Sequence, residues 1–136
     1  MSTRTLGNQG EESAALYLTE HGYEILGRNV RIGHWEVDII AKSETHLIFA
    51  EVKTRRGYPG VPSRFGRPAD AVNERKRECL INAVYAWRRQ HPGEYDSLIP
   101  NIDILEVYVD PSAEVYRVLE IRHFRNAVGG RKGTSP

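Results

Sequence analysis

Cysteine is almost absent. A single residue, Cys79, stands among 136, so no internal disulfide can staple the chain and a reducing cytoplasm is the expected compartment. Five histidines are scattered along the sequence, and no Cys/His cluster has the spacing of a zinc site. No apolar run approaches the roughly 20 residues that span a bilayer. The opening Met1-Ser2-Thr3-Arg4-Thr5 lacks the apolar segment of a signal peptide, so no membrane partner is expected. There is no internal repeat. What remains is globular in composition, with 40% hydrophobic and 27% charged residues. The length suits one domain, expected over 1–128, followed by a Gly-, Lys- and Ser-rich tail over 129–136 that reads as disordered.

Net charge is also close to nothing, at +1, but it is unevenly spread. Between Lys53 and Arg77 stand eight basic residues: Lys53, Arg55, Arg56, Arg64, Arg67, Arg75, Lys76 and Arg77. Only Asp70 and Glu74 oppose them, so this block carries +6 and the rest of the chain −5. A basic block beside acidic residues suits a polyanion whose backbone is held while chemistry acts on it. The plainer alternative is a solvated loop and helix face.

The stretch Glu36 to Lys53 organises the rest. Two apolar runs, Glu36–Lys42 and His46–Lys53, flank the break Ser43-Glu44-Thr45, which predicts a hairpin. The break holds no Asn-Gly or Asp-Gly, so its turn type is open. Side chains alternate faces along a strand, so Glu36 shares a face with Asp38, and Glu51 with Lys53. A turn centred on Ser43-Glu44 pairs positions whose numbers add to 87, setting Glu36 opposite Glu51 and Asp38 opposite Phe49. Any odd sum keeps all four charges on one face, and a one-residue slip separates them. Three carboxylates and a lysine among Val, Ile and Phe make a poor plain core, because like charges repel and are costly to desolvate. A divalent cation removes that cost, and hard oxygen ligands suit Mg²⁺ or Mn²⁺. The alternative is a solvent-facing strand of alternating charge. Against it, Ile39-Ile40 and Leu47-Ile48-Phe49-Ala50 are continuous apolar runs, as in strands buried on both faces.

Around this hairpin the spacing predicts a first helix from about Gly7 to Glu20, capped by Gly22, with Gly10, Ala14, Tyr17, Leu18 and His21 on one face. Glu11 falls at the edge of that face and Glu12 points to solvent. Tyr23 to Arg31 reads as strand one, with Gly27 a bulge candidate. Thr54 to Pro68 reads as a long irregular segment. A second helix is expected from about Pro68 or Ala69 to Arg89, with Val72, Cys79, Leu80, Ala83, Val84 and Trp87 inward and Arg75, Arg77, Arg88 and Arg89 outward. Lys76 lies in the apolar stripe, where it must snorkel or pair with acids. Asn101–Val109 and Glu114–Ile121 read as strands four and five. Asp103, an acid in a strand, is expected to be structural, near the second helix.

The order α-β-β-β-α-β-β, with an acid in strand two and acid-x-Lys in strand three, resembles the PD-(D/E)xK nuclease superfamily. Five blocks in order resemble, more closely, the YraN-like uncharacterised protein family, uncharacterised protein family 0102. They are Gly7-x-x-Gly10-Glu11-x-x-Ala14-x-x-Tyr17-Leu18, Glu36-Val37-Asp38-Ile39-Ile40-Ala41, Phe49-Ala50-Glu51-Val52-Lys53-Thr54-Arg55, Phe65-Gly66-x-Pro68 with Ala71-Val72 and Lys76, and Asn101-Ile102-Asp103-Ile104. The resemblance covers about residues 6–128. Trp35 departs from the glycine that the family usually places before the strand-two acid.

The resemblance implies a restriction-endonuclease-like α/β/α fold with a mixed central sheet of about five strands, and kinship with archaeal Holliday junction resolvases. It further implies a metal-dependent endonuclease hydrolysing phosphodiesters of DNA, with branched or otherwise structured DNA the expected substrate. Asp38 and Glu51 would hold Mg²⁺ or Mn²⁺, and Glu11 or Glu36 would complete the acidic shell. Lys53 would serve the attacking water, and Arg55, Arg56, Arg64, Arg67 and Lys76 would hold the nucleic acid. Symmetric cutting of two strands needs two sites, which motivates a homodimer. The alternative of another class is a nucleic-acid-binding adaptor that keeps the nuclease fold and cuts nothing.

Overall fold

The computed structural model describes residues 3–59 and 74–127. Within them the chain runs α1 (Thr3–Glu20), β1 (Glu24–Ile32), β2 (Trp35–Lys42), β3 (His46–Arg56), α2 (Glu74–Gln90), β4 (Ile99–Val109) and β5 (Val118–Phe124). The strands form one sheet in the order β1-β2-β3-β4-β5. All neighbours are antiparallel except β3 and β4, which run parallel along their whole length from His46↔Ile99 to Arg56↔Val109. A parallel neighbour needs a crossover connection, and α2 lies on it. The mixed five-stranded α/β architecture expected from the sequence is therefore present.

Alternation along β3 splits the core in two. Ile48 and Ala50 pack with Ala14 and Leu18 of α1 and with Ile39, Leu105 and Val107. Leu47 and Phe49 pack with Leu80, Ala83, Val84 and Trp87 of α2 and with Ile40, Ile102 and Ile104. A helix thus covers each face, which is why the apolar runs of β2 and β3 are continuous rather than alternating. Gly22 ends α1 in the left-handed region, at φ 88°, and Tyr23 N–H closes back on Leu18 O at 3.0 Å; that six-to-one bond caps the helix. His21 Nδ1 lies 2.7 Å from Tyr17 O in the last turn. Gly27 marks a break in the β1–β2 register, between Ile25 and Gly27.

Several boundaries differ from the sequence reading. The long irregular segment does not begin at Thr54, because β3 continues through Arg56 on its parallel partner. Strand five starts at Val118 and ends at Phe124. The residues before it are drawn toward α1, where the Tyr116 hydroxyl meets Ser13 Oγ at 2.7 Å and donates to Gln9 O at 3.1 Å. Arg88 does not face outward: its Nη2 donates to Leu98 O at 2.6 Å and Tyr95 O at 3.3 Å, tying α2 to the loop before β4. Arg77 is half-buried, 3.5 Å from Glu74. The start of the second helix, Arg64, Arg67 and the tail over 129–136 lie outside the described residues. Among the described residues no helix is long and apolar enough to cross a membrane.

Candidate functional site

The β2–β3 hairpin has a register one pair away from the simplest expectation. Paired positions add to 89, from Lys42↔Leu47 to Ile39↔Ala50, rather than 87. The cause is the side chain of Ser43. Its Oγ accepts from Thr45 N at 3.3 Å and His46 N at 3.1 Å, while Ser43 N bonds His46 O at 2.9 Å. Serine thereby closes a two-residue turn at Glu44-Thr45. The sum remains odd, but the ladder ends before any of the four charges, and Val37 packs with Ile40 on the α2 side, so strict alternation does not carry back to Glu36. The partners also change. The expected opposition of Glu36 to Glu51 is absent from the ladder, and Glu36 is set instead in register with Arg31 of β1.

The paired ladder stops at Ile39↔Ala50, and the Asp38 side chain takes over. Its Oδ2 accepts from Val52 N at 2.8 Å, which seats the carboxylate beside the Glu51–Val52 peptide. Glu51 is buried, at 7% exposure, and its Oε1 lies 3.3 Å from Lys53 Nζ. Lys53 is more open, with 29% of its side chain exposed. Three of the expected site residues, Asp38, Glu51 and Lys53, are thus brought together where two strands part.

The other candidates are placed less centrally. Glu36 is exposed, in register with Arg31 of β1. Glu11 sits where α1 meets β3 most closely: a Cβ at Gly10 would overlap the Thr54 hydroxyl, so only glycine lets the helix approach there. The Glu11 Oε1 is buried without a hydrogen-bond partner. Thr54 alternates with Lys53, so α1 arrives on the face opposite the Glu51–Lys53 pair. Glu12 points to solvent, 3.3 Å from Arg28. Among the described residues no three His, Cys, Asp or Glu side chains converge on one cation position. Two carboxylates beside a half-buried lysine still fit Mg²⁺, which keeps several waters and is commonly held by one or two carboxylates with substrate oxygens.

Of the expected nucleic-acid contacts, Arg56 is exposed and Arg55 is mostly buried, its side chain 18% exposed and its Nε 3.6 Å from Glu106 Oε2. Arg64 and Arg67 lie outside the described residues, and Lys76 is on α2 near its start. Trp35 is half-buried and faces Ile32 across the Gly33-His34 turn, with Gly33 at φ 61°, as a type II′ hairpin turn requires.

Two residues were missed by sequence reasoning. Glu106, 4% exposed, stands in register with Lys53 on the parallel strand β4. Tyr108, in register with Arg55, donates its hydroxyl to Glu106 Oε1 at 2.6 Å. Burial, and then this bond to Glu106, push the Tyr108 phenol up to about 12. They alternate within an apolar strand as Glu51 and Lys53 do, but nothing local in the sequence ties them to Lys53 and Arg55.

The profile of Uncharacterised protein family UPF0102 matches residues 10–107. The chain is 41% identical over 128 residues to a UPF0102 protein of Caldicellulosiruptor saccharolyticus, covering 93% of this chain and 99% of that one. It is 45% identical over 113 residues to UPF0102 protein STH1475 of Symbiobacterium thermophilum, covering 83% and 90%. Among solved structures it is similar to Pyrococcus furiosus SfsA in complex with Ca²⁺, at 18% identity and a TM-score of 0.36, over 86% of this chain and 63% of that one; a likeness so remote carries no argument. The family profile spans most of the chain, and the relatives align along almost their full length, so this chain belongs to Uncharacterised protein family UPF0102.

Proposed function

We propose that the chain is a divalent-cation-dependent endonuclease that hydrolyses phosphodiesters in DNA, with branched or structured DNA as its preferred substrate. One observation carries this reading: the Asp38 carboxylate is seated on the Val52 amide beside the Glu51–Lys53 pair, at the point where the β2–β3 ladder ends. Fixed carboxylates next to a half-exposed lysine at a strand opening suit phosphoryl chemistry, which depends on positioning and charge rather than on a protein nucleophile.

Asp38 and Glu51 would hold Mg²⁺ or Mn²⁺. When bound, the cation polarises the phosphoryl oxygen and makes water more acidic. The amide of Val52 fixes the Asp38 carboxylate, so that ligand needs no reorganisation. Lys53, held by Glu51, orients the attacking water and offsets charge that builds on the phosphate. Arg55 and Arg56 continue the same strand and meet the flanking backbone, with Arg64, Arg67 and Lys76 as further contacts. Phosphate contacts carry little sequence information, so recognition by structure rather than sequence is expected.

The test is cleavage of a synthetic four-way junction and a linear duplex in Mn²⁺ and in EDTA. Wild type should cut the junction only with the cation. Lys53→Ala should lose about 100-fold or more in cleavage while retaining most junction binding. Metal-independent, salt-dependent binding with no cutting by wild type would instead establish the adaptor reading, which the lack of a three-acid cluster among the described residues favours. A symmetric double cut would further require two copies, and a monomeric mass on DNA at micromolar concentration would rule that out.

A further inference from the structure

The parallel pairing of β3 with β4 sets out a second row of charge beside the acidic site. At one level Lys53, Glu106 and Arg122 stand side by side on β3, β4 and β5. At the next level stand Arg55, Tyr108 and Glu120. Glu106 is the most enclosed of these groups. One of its oxygens accepts the Tyr108 hydroxyl at 2.6 Å and the other lies 3.6 Å from Arg55 Nε. Arg122 covers the Tyr108 ring, 6.0 Å from its centroid, and is itself held by Glu120 at 2.7 Å.

Stability does not explain a carboxylate in this position. Its strand neighbours Ile104, Leu105 and Val107 are fully buried, and a buried ion pair is commonly no better for folding than apolar residues of similar size. What Glu106 does provide is a fixed location for the cations around it. A long arginine side chain held by an anion has fewer positions to choose among when a phosphate arrives.

We infer that Glu106 is a positioning residue of the phosphodiesterase site, fixing Arg55 so that the phosphate backbone is set correctly against Lys53. This rests on the endonuclease reading. Glu106 does not touch substrate in this scheme; it acts through Arg55, and Tyr108 holds its carboxylate in place.

Charge separates this role from a structural one. Glu106→Gln keeps the shape and still accepts the Tyr108 hydroxyl, but it removes one negative charge from beside Arg55 and Lys53. Binding should therefore hold or tighten while turnover falls. A residue needed only for folding would lower both together, along with the folded fraction.

The experiment measures kcat and KM for four-way junction cleavage in Mn²⁺, and junction binding in EDTA. The proteins are wild type, Glu106→Gln, Arg55→Ala, their double variant and Tyr108→Phe. Glu106→Gln should lower kcat by about tenfold, the scale expected of a misplaced contact, with KM unchanged or lower and binding in EDTA retained. The double variant should be no slower than Arg55→Ala alone, because both changes remove one interaction. Tyr108→Phe should move kcat in the same direction by about threefold, and it decides the matter if Glu106→Gln does not fold. A kcat for Glu106→Gln within about twofold of wild type, or losses that multiply in the double variant, would overturn the inference. If Glu106→Gln does not fold, an unchanged kcat in Tyr108→Phe overturns it. A wild type that cuts no DNA removes the endonuclease reading and this inference with it, whereas a cutting wild type beside an indifferent Glu106→Gln removes the inference alone.

Discussion

Two buried acid–base pairs lie in this sheet, and they are built in opposite ways. Asp103 and His123 are closed. The carboxylate is fully buried, its Oδ2 lies 2.7 Å from His123 Nε2, and its Oδ1 accepts from Asn126 N at 2.9 Å. The His123 side chain is itself only 3% exposed, with Tyr17 and Tyr23 edge-on to its ring. Glu51 and Lys53 are open on the lysine side and lie further apart, at 3.3 Å. The first pair ties β4 to β5 and to the turn after it. The second stands beside Asp38 at the end of a ladder. Burial of an acid is thus a poor guide to chemistry. Asp103 is closed by neighbours on both oxygens, whereas Glu51 lies beside a lysine that solvent reaches.

The comparison breaks most visibly at Asp103. Asp103→Ala leaves His123 Nε2 and Asn126 N–H without their acceptor in an enclosed space, and should cost about 3–5 kcal/mol. Glu51→Gln, Asp38→Asn and Lys53→Ala should each change stability by less than about 1 kcal/mol, because sites are commonly held at some expense to the fold. Urea denaturation of all four compares them directly; equal losses at Glu51 and Asp103 would make both pairs structural. Next in size is Gly10→Ala, whose methyl must displace Thr54 or α1. It should cost about 1–3 kcal/mol in the same denaturation series.

A last effect is confined to alkaline pH. The Tyr108 phenol is raised to about 12 in the folded protein, by burial first and then by Glu106. The unfolded phenol loses its proton near its ordinary value of about 10, so the folded state binds that proton more tightly. The linked stability is fully present below about pH 10 and is lost between about 10 and about 12. Tyr108→Phe should show a shallower decline over that interval in pH-dependent denaturation.

Much of this was legible in the chain. The unbroken apolar runs of β2 and β3 gave away strands covered on both sides, and acid-x-Lys at the end of one run marked where the Glu51–Lys53 ion pair stands. The hairpin's parity was readable too, since any odd sum preserves it. Its exact pairing was not, because a serine side chain rather than a glycine closes the turn. Glu106 and Tyr108 stayed hidden for another reason. Their partners Lys53 and Arg55 lie on a strand that becomes a neighbour only through a long parallel crossover, and local periodicity says nothing about such pairings. From the sequence, Asp103 reads as structural, near the second helix. The structure sets it instead with Leu105 on the α1 face, bonded to β5 and the turn beyond it.

The most direct test of the account is isothermal titration of Mn²⁺ into wild type, Asp38→Asn and Glu51→Gln, with and without uncleaved junction DNA. One binding event in wild type, lost in both variants, is the predicted result and places the two carboxylates on one cation. No binding in wild type even with DNA, or binding that survives both substitutions, would contradict it.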